Sequence, residues 1–383
     1  MTSKIPAPVR TLPFYLGGFL GPFGTMVIIP MLPELRTNFD VDSSTISWGF
    51  SAYLFPMAAL LLVSGTIGER YGKQRVLRIT LATYVVSSLL VAIAPTMELF
   101  LAARATQGAG NAFITPLLIA GLADITPEKE LGSRVGVYTA FQAAGGGLAP
   151  FAGGLAAAID WRLAFVGTAL AALIVLAFVP QTAPATNKIR PPIRPLFAKP
   201  LLILGVGSFA AAAGPLGAGV LVGFKARDVL GMEPETAGLL LAGGSIGSAV
   251  LAPTFGKMLD RFGARACGIW STLVVTVLIA LLGLTNTVAT TALAYAVGGA
   301  MFGFVIVVFQ KVGASIVPEN RGGALSAVLS FRFVGHAVGP LIWVPVFERS
   351  VSTAFIGSAA LGLVTVAAIM IALPRDEPEA VGL

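Results

Sequence analysis

Residues 65–75 read Gly65-Thr66-Ile67-Gly68-Glu69-Arg70-Tyr71-Gly72-Lys73-Gln74-Arg75, and 191 residues later the pattern returns as Gly256-Lys257-Met258-Leu259-Asp260-Arg261-Phe262-Gly263. Each copy closes an uncharged stretch with a glycine, an acid, an arginine and a second glycine. Ala149-Pro150 returns as Gly339-Pro340, 190 residues on. Two landmarks spaced by half the chain length indicate duplication, and parallel halves around a central site are one way to build such a chain in a bilayer. The longest polar connector, residues 181–199, carries four prolines and four cations. The expected organisation is therefore an N-terminal bundle over 1–180, a linker over 181–199 and a C-terminal bundle over 200–383.

Composition fixes the solvent. Of 383 residues, 56% are hydrophobic and 11% charged, whereas a soluble chain carries about 25% charged residues. Such a chain lacks the polar surface to dissolve. Its single cysteine, Cys267, excludes an intrachain disulfide or a thiolate metal cluster, and its single histidine, His336, excludes a histidine-rich metal or haem site. Neither metal nor cofactor is expected. Without buried acids, paired histidines or a phosphate loop, an enzyme is not expected either.

A helix needs roughly 20 mostly apolar residues to cross a bilayer, so the distance between charges serves as a ruler. Uncharged runs cover 11–33, 43–68, 79–97, 135–159, 163–187, 200–224, 236–256 and 350–374. Two more spans share the run 266–310, broken at Thr285-Asn286-Thr287, and the last two hold one cation each: 99–123 with Arg104 and 322–347 with Arg332. Twelve spans result. The apolar stretch after Lys4 and Arg10 reads as an uncleaved first span rather than a signal peptide. Summed by side, 18 cations fall with the termini and 5 fall in the opposite, outer loops: Arg36, Arg162, Lys225, Arg227 and Arg349. That bias predicts cytoplasmic termini in a multi-pass plasma membrane protein of the bacterial inner-membrane type. The formal charge of +7 is then topological, and no nucleic-acid partner is implied.

The 65–75 segment resembles the cytoplasmic signature of the major facilitator superfamily, with Glu69 standing where the family has aspartate. Physically, Gly65 allows close approach of a helix, Gly72 a tight turn, and the acid a pairing with a cation or helix N-terminus across the halves. The resemblance thus implies a conformational latch of Gly65, Glu69, Arg70, Gly72 and Arg75, echoed by Asp260 and Arg261. The fourth span, Arg104-Ala-Thr-Gln107-Gly-Ala-Gly-Asn111, is similar to the family's arginine-containing helix. Arg104, Gln107, Asn111 and Thr115 share one stripe of it. An arginine in hydrocarbon costs at least about 2.5 kcal/mol, so Arg104 must meet water, substrate or a partner; the alternative is an arginine tied to backbone carbonyls at a helix break.

In the fifth span, Gly145-Gly-Gly-Leu-Ala149-Pro150-Phe-Ala-Gly153-Gly154 resembles the motif that marks drug:proton antiporters within the superfamily, with Ala149 where glycine is usual. Its physical content is close packing along a glycine face and a kink at Pro150; Gly339 and Pro340 repeat it in the second half. Asp160-Trp161-Arg162, Pro30-Met-Leu-Pro33-Glu34, Trp48 and Tyr53 also look like the efflux pattern. The resemblance implies an all-α membrane protein of 12 transmembrane helices in two pseudo-symmetric six-helix bundles. It implies a monomeric secondary active transporter working by alternating access, with proton-coupled efflux of small amphipathic compounds or metabolites. The alternatives are a proton-coupled or facilitated carrier for an anionic or neutral metabolite, uptake included, or a transporter-like sensor.

Proton coupling needs a titratable group, and no acid lies mid-span. Inside remain Arg104, Arg332 and His336, the last two being four residues apart on one helix face, and His336 titrates nearest neutrality. Glu34 at the outer end of the first span and Asp124, with Arg134, at the inner end of the fourth are the rival carriers. By the family layout, the cavity is lined from Tyr15, Phe19, Met26, Tyr53, Gln107, Asn111, Tyr138, Gln142, Phe302, Phe309 and Gln310. Aromatics and methionine give adaptable apolar contact, and two intramembrane arginines without an intramembrane acid favour anionic or neutral ligands.

Overall fold

The computed structural model describes residues 7–178 and 194–373. Linker residues 181–193 and the Glu69 side chain lie outside the described residues. The described chain is helical, with no strand: α1 (Ala7–Met26), α2 (Leu32–Phe39), α3 (Ser43–Tyr71), α4 (Lys73–Ile93), α5 (Met97–Ile125), α6 (Glu128–Ile159), α7 (Arg162–Ala177), α8 (Lys199–Ala213), α9 (Gly219–Phe224), α10 (Pro234–Phe262), α11 (Ala264–Leu284), α12 (Val288–Ile316), α13 (Arg321–Arg349) and α14 (Val351–Ala372). Eight stretches are long and apolar enough to cross a membrane, and the apolar helices α7 and α8 are shorter.

Two predicted spans are not single rods. The first breaks after Met26, where the chain passes through a short 3-10 helix, Ile29–Met31, into α2; Pro30 and Pro33 lack the N–H groups that would continue α1. The run 200–224 breaks at Gly214 and Pro215, separating α8 from α9. Between α9 and α10 lies a π-helical turn, Lys225–Val229, which buries Lys225 completely. That residue was expected in an outer loop.

Helix starts follow capping chemistry. Asp42 accepts from the Thr45 N–H at 2.6 Å, and this hydrogen bond holds its carboxyl below the usual aspartate value. Thr287 caps α12, so the expected break at 285–287 is a helix boundary. Gly72 and Gly263 take positive φ, +90° and +74°, at the turns from α3 to α4 and from α10 to α11. Both copies of the opening pattern therefore end on a residue whose backbone disfavours any side chain.

The chain forms two compact units: residues Met1–Ile189 with Val222–Ala242, and Arg190–Leu221 with Gly243–Leu383. In the first, α1 packs on α6, α3 on α5, and α4 on α5 and α7; in the second, α8 packs on α13 and α14, and α11 on α12 and α14. The division departs from the expected one at residues 222–242, which belong to the first unit although they follow the linker. Close backbone packing and ion pairs, described below, hold them there. Leu, Ile, Val and Phe side chains exposed along the helices supply an apolar exterior suited to lipid.

Candidate functional site

Arg104 is fully buried on α5. Its Nε donates to the Gly49 carbonyl at 3.0 Å, and its Nη1 donates to the Gly24 carbonyl at 3.2 Å and to Gln107 Oε1 at 2.6 Å. Gly24 lies in the last turn of α1, whose final carbonyls have no intrahelical donors. The guanidinium thus caps a helix C-terminus, where a cation is favoured. The face of the group covers the Tyr53 ring at 4.4 Å. Gln107 is fixed in turn by donating Nε2 to Ser88 Oγ at 2.7 Å. Beneath them Phe39, Phe100, Trp161 and Phe165 form a cluster with centroid spacings of 5.2–6.2 Å. The carbonyl-tied alternative describes Arg104, and Tyr53 and Gln107 are its supports rather than open cavity surface. Neither Ser88 nor the Gly24 and Gly49 carbonyls carried a sequence signal.

Arg332 is placed differently. It lines a narrow pocket of the second unit with Ser208 on α8, Phe309 and Gln310 on α12, and Val328 on α13. Its Nε is buried without a hydrogen-bond partner, and among the described residues it has no counter-ion. One turn on, His336 is 7% exposed, stands edge-on to Phe302 with centroids 6.2 Å apart, and makes no hydrogen bond among the described residues.

Three glycines of α6 lie against backbone carbonyls. A Cβ at Gly145 would strike the Phe19 carbonyl, one at Gly153 the Val27 carbonyl, and one at Gly154 the Pro234 carbonyl. Gly238 answers from α10, where a Cβ would strike the Pro150 carbonyl. In the second unit Gly339 faces the Ala213 carbonyl at 3.0 Å, and the adjoining Pro340 is buried.

Ion pairs fasten 222–242 to the first unit. Arg36 on α2 donates both Nη atoms to Asp228, at 2.9 and 3.1 Å, and Arg227 donates to Glu34 and to the Met232 carbonyl. Arg162 reaches Asn38 at 3.2 Å. Glu34, Arg36, Asn38, Asp160, Arg162 and Arg227 rim an open cleft of about 450 Å³.

At the Gly72 end, three expectations change. Gly65 is exposed, with no described atom within 4 Å of its would-be Cβ; the close approach is at Gly68, against the Leu117 side chain. Asp124 pairs with Lys73 at 2.7 Å rather than with Arg134, which pairs with Glu130 at 3.4 Å in the next helical turn. Asp260 pairs with Lys311 of its own unit at 2.9 Å. Arg70, Arg75 and Arg261 are exposed. Of the nominated cavity residues, Tyr15, Asn111, Tyr138 and Phe309 are buried in their units, whereas Phe19, Met26, Gln142, Phe302 and Gln310 keep exposed surface.

The sequence profile of the Major Facilitator Superfamily matches residues 14–224 and 204–383. The chain is 28% identical over 340 residues to the uncharacterised MFS-type transporter YceJ of Bacillus subtilis, covering 83% of this chain and 84% of that protein. It is 22% identical over 373 residues to the quinolone resistance protein NorA of Staphylococcus aureus, covering 93% and 95%. Among solved structures, a mutant form of the nucleoside transporter NupG superposes with a TM-score of 0.80 at 14% identity, covering 95% of this chain and all of that one.

Proposed function

Because the chain belongs to the Major Facilitator Superfamily, and so is a multi-pass membrane transporter and not an enzyme, we propose that it works as a proton-coupled exporter of small amphipathic compounds, by alternating access between its two sequence halves. The observation that carries export over uptake is the α6 glycine face. The stretch Gly145–Gly154 that resembles the antiporter motif meets backbone of α1 and of the 234–238 segment at carbonyl contact, and NorA, a resistance protein, aligns over almost the whole chain. Close backbone packing of this kind gives two helices one well-defined seated arrangement.

In this reading both termini are cytoplasmic, and the α2 end of the first unit faces outward. The Glu34–Arg227 and Arg36–Asp228 pairs then form an outer clasp that must part for the exit pathway to open. Glu34 carries the coupling proton: neutralised, it no longer holds Arg227, so proton entry and release of the clasp are one event. His336 is the second candidate, favoured by a near-complete burial in which it meets the Phe302 ring edge-on and no hydrogen-bond partner among the described residues. The remaining partners are a small-molecule substrate and the bilayer, and one chain suffices because it contains both halves.

The test uses proteoliposomes loaded with carboxyfluorescein, an anionic dye, under an imposed proton gradient. Wild-type protein should move dye against its concentration gradient and stop when an uncoupler collapses the proton gradient. Glu34→Gln should retain exchange of labelled for unlabelled dye while losing uphill movement. Uphill movement at the wild-type rate by Glu34→Gln would transfer the proton role to His336. Dye movement indifferent to the gradient would leave a facilitated carrier.

A further inference from the structure

We propose that the Arg332 pocket is a docking site for the carboxylate head of an organic anion, so that the carrier holds anionic amphipaths by their charged group in its second unit. This rests on the carrier reading of the preceding subsection, and it names the substrate class that reading leaves open.

A guanidinium carries five N–H donors in a planar fork and stays charged. In a low-dielectric setting those donors need acceptors, and the chain has two arginines within its predicted spans with which to compare the outcome. Arg104 finds three acceptors inside the protein, leaving only its Nη2 without one. Arg332 has none among the described residues, and its Nε is occluded while the rest of the side chain keeps some surface. Among the acids of its own unit whose side chains are described, Asp260 is held by Lys311, and Glu348 lies at the far end of α13, more than four helical turns away.

The pocket walls define what fits. Phe309 and Val328 make it apolar, Ser208 already donates to the Val328 carbonyl at 3.3 Å, and Gln310 stands at the rim. The space is narrow, about 10 Å³, the room of a single water, so a carboxylate oxygen can enter and a ring system cannot. A carboxylate matches the fork in plane and in charge. The attached apolar body remains outside, against surfaces such as the half-exposed Phe302. A cation brought to the same place meets an unneutralised charge.

Three dyes with one skeleton separate the contributions. Fluorescein has a free carboxylate, its methyl ester keeps the anionic xanthene and masks that carboxylate, and rhodamine 123 is a cationic ester. Binding is read by fluorescence anisotropy with the full chain in lipid nanodiscs, against empty nanodiscs. Fluorescein should bind the wild type about tenfold or more tightly than its methyl ester and rhodamine 123, the scale set by one charge-assisted hydrogen bond in a water-poor site. Arg332→Gln should remove that preference by weakening fluorescein binding, while rhodamine 123 affinity holds or rises because its positive charge no longer meets Arg332. Arg332→Lys should restore part of it, as a point charge without the fork. If Arg332→Gln does not purify folded, Ser208→Asp, which supplies an internal carboxylate beside Arg332, should abolish the preference instead.

The proposal is overturned if wild type does not bind fluorescein, if it shows no preference for the free carboxylate, or if the preference survives in Arg332→Gln or, where that variant does not fold, in Ser208→Asp. Flux in sealed liposomes is a separate reading. Preferential binding without flux would sink the carrier and keep the site, whereas equal flux of all three dyes without preferential binding would keep the carrier and sink the site.

Discussion

Arg104 and Arg332 carry the same charge, sit in predicted membrane spans of the two halves and were indistinguishable as residue types. The first is served by the fold: it ties the end of α1 to α5 through the Gly24 carbonyl and rests on Tyr53. The second reaches neither a backbone carbonyl nor a carboxylate among the described residues. An intramembrane cation is thus not by itself a functional signal. What distinguishes the two is whether the fold has supplied the acceptors, because each unmet donor in hydrocarbon has a cost that substrate can relieve.

The comparison breaks first at Arg104. Arg104→Met removes acceptor satisfaction from two carbonyls and strands Gln107, at about 1–3 kcal/mol for each buried group left unpaired. We expect a loss of roughly 3 kcal/mol or more, seen as a large fall in melting temperature in detergent and in the yield of folded protein. Transport per folded molecule should fall far less than yield. A well-folded Arg104→Met with no transport would make Arg104 the functional arginine and reverse the assignment.

Arg332→Met tests the other side. Replacing an unpaired, partly buried charge by an apolar side chain of similar length is often neutral or stabilising, here by about 1 kcal/mol. The melting temperature should hold or rise while transport of anionic compounds is lost. A destabilisation as large as that of Arg104→Met would mean that Arg332 has structural partners after all. His336→Gln should leave stability within about 0.5 kcal/mol, because it breaks no hydrogen bond among the described residues.

Sequence reasoning reached the fold because its two strongest signals are forced by the solvent: charge-free runs of span length, and glycines where backbones touch. Gly72 and Gly263 are required by their φ angles, and Gly145, Gly153 and Gly154 by the carbonyls they face. These are local constraints that a sequence records directly. The partners of the buried polar groups are another matter. Nothing in the string around Arg104 specifies that Gly24, 80 residues earlier, ends a helix against it. Nor does the spacing of Asp124 and Arg134 reveal that Lys73 is nearer. The break after Met26 was written in Pro30 and Pro33, but span counting by charge alone passes over it. The buried Lys225 was hidden for the opposite reason, since a lysine beside a turn reads as a loop residue and the π-helical turn folds it inward.

The smallest effect concerns two ion pairs with the same sequence separation, 51 residues, and opposite order of charge: Lys73–Asp124 in the first unit and Asp260–Lys311 in the second. Each joins the end of one helix of the repeat to the end of another. The first pair is the better shielded, its side chains being 18% exposed each against 53% and 76% in the second. Exposed pairs are worth about 0–1 kcal/mol and weaken with salt. Lys73→Asp should therefore lower stability by under about 1 kcal/mol, and adding Asp124→Lys should recover most of it by restoring the attraction in reverse. Lys311→Asp should cost still less, within about 0.5 kcal/mol, with a correspondingly small gain from Asp260→Lys. The measurement is a double-mutant cycle on melting temperature at low and high salt. Coupling in the second pair equal to that in the first would show that solvent screening does not rank them.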